Sequence, residues 1–297
     1  MMQRDEEAAF RRIFRRAHAH HLSCADDEWL HAPCRNPDGT EADRPLVWSR
    51  RNGPWHRCDV LWVGAAPGNA GGMGAGAMGA HGTRIPFGGD IAGANLDLLM
   101  ESIGLDRNST YIVASLNQLP DRGGGEPRVS ELRRPVGDYP SSVHLLRDTI
   151  LAVRPRLVVL LGNVALRTTI AATRLEAKPR LTLPGLARLR AAGLERGGSH
   201  EWPDAFPPDE SFLRQWRESG GTGGETDRDA ARLPRLVWLL HPSAQNMSPY
   251  AGRDTAFHTR MVETRAALRD AVAALPGGLA GAGTGSGPDR TRRPTLQ

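Results

Sequence analysis

From Asp59 onward the chain alternates two hydrophobic patterns. Short apolar runs at Asp59-Val-Leu-Trp-Val63, Thr110 to Leu116, Arg156 to Leu161 and Arg235-Leu-Val-Trp-Leu-Leu240 read as strands. The run at 156–161 is continuous, as in a strand buried on both faces of a parallel sheet. Between these runs, 91–103, 141–153, 163–173 and 254–274 carry apolar residues every three or four positions, the spacing of a helix. Strands alternating with helices imply right-handed βαβ units. The predicted fold is α/β and doubly wound, with a mainly parallel four-stranded sheet and helices on both faces. Such sheets bind ligands at the carboxyl ends of their strands.

The flanks are less regular. Residues 4–22 place Phe10, Ile13, Phe14 and Ala17 on one helical face, and an irregular Pro-, Asp- and Trp-containing stretch follows to about Cys58. This gives an N-terminal helical or irregular extension over 1–58 and an α/β domain over 59–275. The domain is interrupted at about 175–233, where Pro184, Pro203, Pro207, Pro208 and Gly220-Gly-Thr-Gly-Gly224 break the pattern and only 209–218 looks helical. From Pro276 to the last residue, 297, Gly, Ala, Ser, Pro and Arg predict a disordered tail.

Composition narrows the partner. The 297 residues hold 38 basic and 33 acidic side chains, a net charge of +5, and the only lysine is Lys178. Guanidinium forks fit phosphate oxygens, so nucleic acid is one reading; codon usage in a GC-rich genome that also favours Gly and Ala is the other. No apolar run approaches the roughly 20 residues of a membrane span. The start, MMQRDEEAAFRRIFRR, lacks the apolar core of a signal peptide, and three cysteines cannot build a disulfide framework. A soluble cytoplasmic monomer is expected.

Two segments at predicted strand ends carry chemistry. Gly64-Ala-Ala-Pro-Gly-Asn69 follows the first strand and leads to Ile85-Pro-Phe-Gly-Gly-Asp90; His241-Pro-Ser-Ala-Gln-Asn246 follows the last. Each alone is a weak tag. Together, in this order and context, they resemble the uracil-DNA glycosylase superfamily, whose members carry a G-x-x-P-G motif after strand one, a nearby P-F-x-G segment and an H-P-S motif after the last strand. The resemblance covers roughly 60–172 and 235–275 and is nearest to the fourth and fifth families.

The resemblance implies a site. Asp90, by position a helix N-cap, lies in Gly88-Gly-Asp-Ile-Ala-Gly93, similar to the fifth family's G-D-x-S-G, whose Asp stabilises positive charge on the sugar and orients water. His241 would donate to the carbonyl oxygen of the departing base. Ala66 occupies the place where other families carry a catalytic Asp or Asn, so Asn69 is the remaining polar side chain of that motif. Gly64, Ala66, Pro67, Gly68, Phe87 and Asn117 would hold the base, with Phe87 as the stacking ring and Asn117 reading the pyrimidine edge. An ungapped register against the fourth and fifth families puts Ala114 in the place of Asn117. Pro242, Ser243, Gln245 and Asn246 would press on the duplex as the base is flipped out, and Arg253 would contact phosphate.

Three departures shape the expected function. The loop between Gly68 and Pro86 has no aromatic residue, whereas strict uracil enzymes keep a bulky wall against pyrimidine C5. Uracil and a C5-modified, even glucosylated, cytosine are therefore both open as substrates, the latter in antiphage defence. Cys24, Cys34 and Cys58 do not match a four-cysteine iron–sulfur pattern. His18, His20, His21, Cys24, His31 and Cys34 could collect zinc, but solvated histidines and reduced thiols are the preferred reading, so no metal or other cofactor is expected. Gly72-Met-Gly-Ala-Gly76 does not adjoin the strand as a dinucleotide motif requires. The expected enzyme is a monofunctional DNA glycosylase; the alternative is a DNA-binding module of the same fold that is inactive or traps DNA covalently through His241.

Overall fold

The computed structural model describes residues 2–19, 46–48, 52–68, 85–88, 91–121, 126–176, 181–219, 232–243 and 255–279. Five strands form one sheet: β1 (Val60–Gly64), β2 (Tyr111–Ala114), β3 (Leu157–Leu161), β4 (Ser199–His200) and β5 (Arg235–Leu239). Their order is β2-β1-β3-β5-β4. The first four in that order run parallel, with Trp62 opposite both Ile112 and Val159, and Val159 opposite Val237. The four predicted strands thus form the parallel body of the sheet. The two-residue β4, antiparallel to β5 and drawn from the insertion, extends it beyond the four expected. So short a strand, in a stretch without an apolar run, leaves no periodicity to read.

Alternate residues of the central strands enter opposite cores. Leu61, Val63, Tyr111, Val113, Val158, Leu160, Leu236 and Trp238 face one layer. It is built from α1 (Met2–Ala17), α4 (Ser142–Val153), α5 (Asn163–Ala172), α6 (Leu186–Ala191) and α7 (Glu210–Ser219). Val60, Trp62, Ile112, Leu157, Val159, Leu161, Val237 and Leu239 face the other, where α2 (Ile91–Glu101) and α8 (Thr255–Ala273) pack. Burial on both sides explains why the strands are apolar throughout rather than alternating. A single turn, α3 (Val129–Leu132), precedes α4; neither it nor α6 was foreseen, since four- and six-residue helices are too short for a period to repeat.

The N-terminal helix belongs to the first core. Phe10, Ile13, Phe14 and Ala17 are buried as their spacing predicts. Beside them, Arg16 Nη1 and the Tyr139 hydroxyl donate to Asp148 Oδ2 at 3.0 and 3.1 Å, tying α1 to α4. His18 departs from the expected solvated face: it is buried, its ring packs on Phe14, and Nδ1 lies 2.8 Å from the Phe14 carbonyl oxygen. The remaining residues of the zinc reading, His20, His21, Cys24, His31 and Cys34, lie outside the described residues, as do Lys178 and 280–297. Burial pushes the Cys58 thiol up to about 12, so it stays protonated and unreactive at neutral pH.

The insertion is anchored by a buried ion pair. Arg147 Nη1 of α4 approaches both Asp209 carboxylate oxygens, at 3.1 and 3.3 Å, and Nη2 donates to Ser211 Oγ at 2.7 Å. The same carboxylate accepts from the backbone N–H groups of Phe212 and Glu176, capping α7. Among the described residues no helix is long and apolar enough to cross a membrane.

Two outcomes follow from these contacts. Asp209→Ala leaves the Arg147 charge buried and uncompensated, and should cost about 3–5 kcal/mol in urea unfolding. Pairing Asp209→Asn, which keeps the cap, with Arg147→Met should recover much of that loss. Burial raises the Asp148 carboxyl above its ordinary range. Its stabilising contribution is therefore full below the unfolded pKa and lost as pH rises through the folded one. Asp148→Asn removes that dependence, so its stability relative to wild type should improve as pH rises above about 4, as measured by urea titration at each pH.

Candidate active site

The carboxyl ends of β1, β2, β3 and β5 are laced together by the backbone. Ser115 N donates to Gly64 O at 2.9 Å, Leu116 N to Ala65 O at 3.0 Å and Gly162 N to Leu239 O at 3.0 Å. These bonds fix the departure of the 65–68 loop and bring Gly162 alongside His241. A β-carbon added to Gly162 would stand 3.7 Å from His241 Cβ.

Phe87 lies between the two motifs. A β-carbon on Gly64 would come within 2.8 Å of Phe87 Cε2 and 2.9 Å of Cζ, so the ring occupies the space that only glycine leaves. On the other side the His241 ring centroid is 5.6 Å away, with the planes tilted by 33°. The structure thus joins Gly64, Phe87 and His241, which are separated by 23 and 154 positions in the chain.

Phe87 is held in an unfavourable backbone state. Its φ of 56° lies in the left-handed region, uncommon for a bulky side chain and costing about 1–2 kcal/mol. Arg107, which sequence reasoning missed, maintains it. Its Nη1 donates to Pro86 O at 3.1 Å, Nη2 to Phe87 O at 2.8 Å and Nε to Asp97 Oδ1 of α2 at 2.7 Å. A guanidinium presents this planar fork and an ammonium does not. A second unforeseen tie is the buried Asn95 of α2, whose Nδ2 donates to Pro242 O at 2.9 Å and so anchors the His-Pro-Ser segment. Both residues belong to an ordinary-looking helix and turn, with no motif to mark them.

Asn117 follows β2 and is fully buried. Its backbone is engaged: the carbonyl accepts from Val47 N at 2.7 Å and the N–H reaches Ser142 Oγ at 3.4 Å. Its amide is not. Neither Nδ2 nor Oδ1 has a hydrogen-bond partner, and among the described residues no other side chain has two separate buried polar atoms unsatisfied. Each such group costs about 1–3 kcal/mol. Ala114, the alternative register position, is paired within the sheet opposite Gly64.

Ala66 and Pro67 are partly buried and Gly68 is exposed beside Gly64; Pro242 is buried and Ser243 partly so beside His241. Asn69, Asp90, Gln245, Asn246 and Arg253 lie outside the described residues, as does the 69–84 loop on which the reading of pocket size rests. An aromatic ring, an imidazole and an unpaired amide at one end of a parallel sheet suit a flat heterocycle with hydrogen-bonding edges.

The sequence profile of the uracil DNA glycosylase superfamily matches residues 52–265, which include all of these elements. The chain belongs to the uracil DNA glycosylase superfamily. No curated protein matches it. Membership carries DNA glycosylase activity on uracil-like bases, with DNA as the bound substrate. The matched span begins after α1 and runs through the segment between β3 and β5.

Removing the fork should affect the enzyme more than the fold. Arg107→Ala is expected to lower glycosylase turnover by about a hundredfold, the scale of roughly 1 Å of misplacement at a reacting site. Arg107→Lys should not rescue it. A melting temperature near that of the wild type would show that the loss is local.

Proposed function

We propose that the protein is a monofunctional DNA glycosylase. It hydrolyses the N-glycosidic bond of an extruded pyrimidine: water adds to the sugar carbon, the base leaves with the bonding pair and a proton, and an abasic site remains. The orphaned amide of Asn117 carries this reading. A pyrimidine edge supplies the donor and acceptor that the amide lacks, and Phe87 supplies a stacking surface worth about 1–3 kcal/mol.

The same observation bears on the substrate. Uracil offers a donor at N3 and an acceptor at O4; cytosine offers an acceptor at N3 and a donor at N4. Reading one or the other requires opposite orientations of the amide. No hydrogen bond from the protein fixes the Asn117 amide, so both edges can be met. Together with a 69–84 loop made mostly of Gly and Ala, this supports a substrate range that includes C5-modified and glucosylated hydroxymethylcytosine as well as uracil. Activity on the modified bases would place the enzyme in antiphage defence.

The proposed roles follow the chemistry. Asp90, immediately before α2, stabilises the developing positive charge on the sugar and orients water, with Asn69 assisting where Ala66 offers no polar group. His241 donates to the leaving base. Pro242, Ser243, Gln245 and Asn246 press on the duplex, and Arg253 contacts phosphate. Gly64, Pro67 and Gly68 shape the floor. The only lysine, Lys178, belongs to the insertion, consistent with hydrolysis rather than Schiff-base chemistry. In this reading the catalytic domain spans 59–275 and acts as a monomer.

The test uses uracil-containing, hydroxymethylcytosine-containing and glucosylated phage DNA, each followed by alkaline cleavage of abasic sites. Alkali-dependent breaks are expected on at least one. None on any substrate would leave a DNA-binding or trapping module, and breaks on uracil alone would remove the defence role. Asn117→Ala should slow single-turnover cleavage by about a hundredfold. Asp90→Ala should abolish cleavage while DNA is still bound.

A further inference from the structure

The insertion returns to the sheet beside the candidate site. β4 pairs with β5, Ser199 opposite Val237, and just before it Gly197 N donates to Trp238 O at 2.7 Å. This pins Arg196 at the outer edge of β5. Its Nη2 donates to Asn163 Oδ1 at 3.2 Å. Asn163 opens α5 directly after Gly162, the residue packed against His241. Arg196 therefore stands at the same end of the sheet as His241 and Phe87.

A second arginine joins it. The buried indole of Trp238 has the Arg196 guanidinium 5.1 Å from its ring centroid, and that of Arg190, from α6, at 5.9 Å. Both arginines are exposed. Neither has a carboxylate within 4 Å among the described residues, whereas Arg107, Arg147, Arg156 and Arg235 each have one. Bringing two like charges to one ring is unfavourable in itself, and stacking on an indole returns only about 0.5–1 kcal/mol each at an exposed site. What the arrangement provides is two exposed charged forks with no carboxylate partner among the described residues, at the end of the sheet that carries the candidate site. Phosphate oxygens are the partner that guanidinium forks fit best. A DNA strand carries one phosphate per roughly 3.4 Å of helix axis, so a strand crossing the site presents phosphates to this flank.

We propose that Arg190 and Arg196 bind backbone phosphates flanking the extruded nucleotide, making the insertion part of the DNA interface. The inference rests on the glycosylase reading above. It adds a contact surface that none of the motifs at the strand ends supplies.

The experiment measures binding of the full chain to a fluorescein-labelled duplex oligonucleotide by anisotropy over a range of salt concentrations. Each neutralised phosphate contributes about 0.9 to the slope of log affinity against log salt on B-DNA. Arg190→Gln with Arg196→Gln keeps much of the side-chain cover on Trp238 and removes both charges. This pair should reduce the slope by about 1.8 and weaken binding on the order of tenfold or more near 0.1 M salt. Each single variant should lose about half of that slope, which keeps the test usable if the double variant is unstable. Arg190→Lys with Arg196→Lys should retain the slope. An unchanged slope in the Gln variants would overturn the proposal, as would a Lys variant that falls as far as the Gln pair. A wild-type protein that does not bind DNA would overturn both the proposal and the reading beneath it, whereas wild-type binding with an insensitive slope would overturn the proposal alone.

Discussion

Every strand of the parallel body is buried on both faces, and the rest of the molecule follows from that condition. A sheet with no solvated side needs helices over each face, and the alternation of Leu61 and Val63 against Val60 and Trp62 divides β1 between two cores. Side chains within the strands are committed to packing. Chemistry is confined to the residues just beyond the strand ends, where the backbone leaves the sheet and side chains are released from the cores.

The site at those ends depends on one close approach. Phe87 rests on the α-carbon of Gly64, and its backbone adopts a conformation that its side chain does not favour. Arg107 holds the loop from one direction, and Asn95 holds the His-Pro-Ser segment from another. Both ties come from α2 or the turn after it, so that one region sets the spacing between the ring and the imidazole. Just beyond β2, the amide of Asn117 is buried without a hydrogen-bond partner, at a cost to stability. The insertion, locked to α4 by the Arg147–Asp209 pair, adds an edge strand and two arginines at the same end.

Much of this was legible along the chain. The four strands of the parallel body announce themselves as apolar runs, and α2, α4, α5, α7 and α8 by helical period, because each helix repeats its pattern for several residues. Gly64, Phe87 and His241 were singled out from strand-end motifs and a family resemblance, and the structure brings these three together. What escaped was of two kinds. α3, α6 and β4 are too short to show a period. Arg107, Asn95, Arg190 and Arg196 act through contacts with residues 20, 147, 48 and 33 positions away, and nothing local distinguishes them from other polar residues on helices and turns.

The sequence by itself determined the class of fold, the order of its main elements and the strand-end motifs that carry the family resemblance, since these depend on local pattern and short motifs. Only the tertiary structure decided that Phe87 sits on Gly64, that the Asn117 amide is left without a partner, and that the insertion brings arginines to the site. Those are facts about which atoms meet, and they are settled by packing between segments far apart in the chain. A run of apolar residues says that a strand will be buried, but what it is buried against is decided by the rest of the molecule.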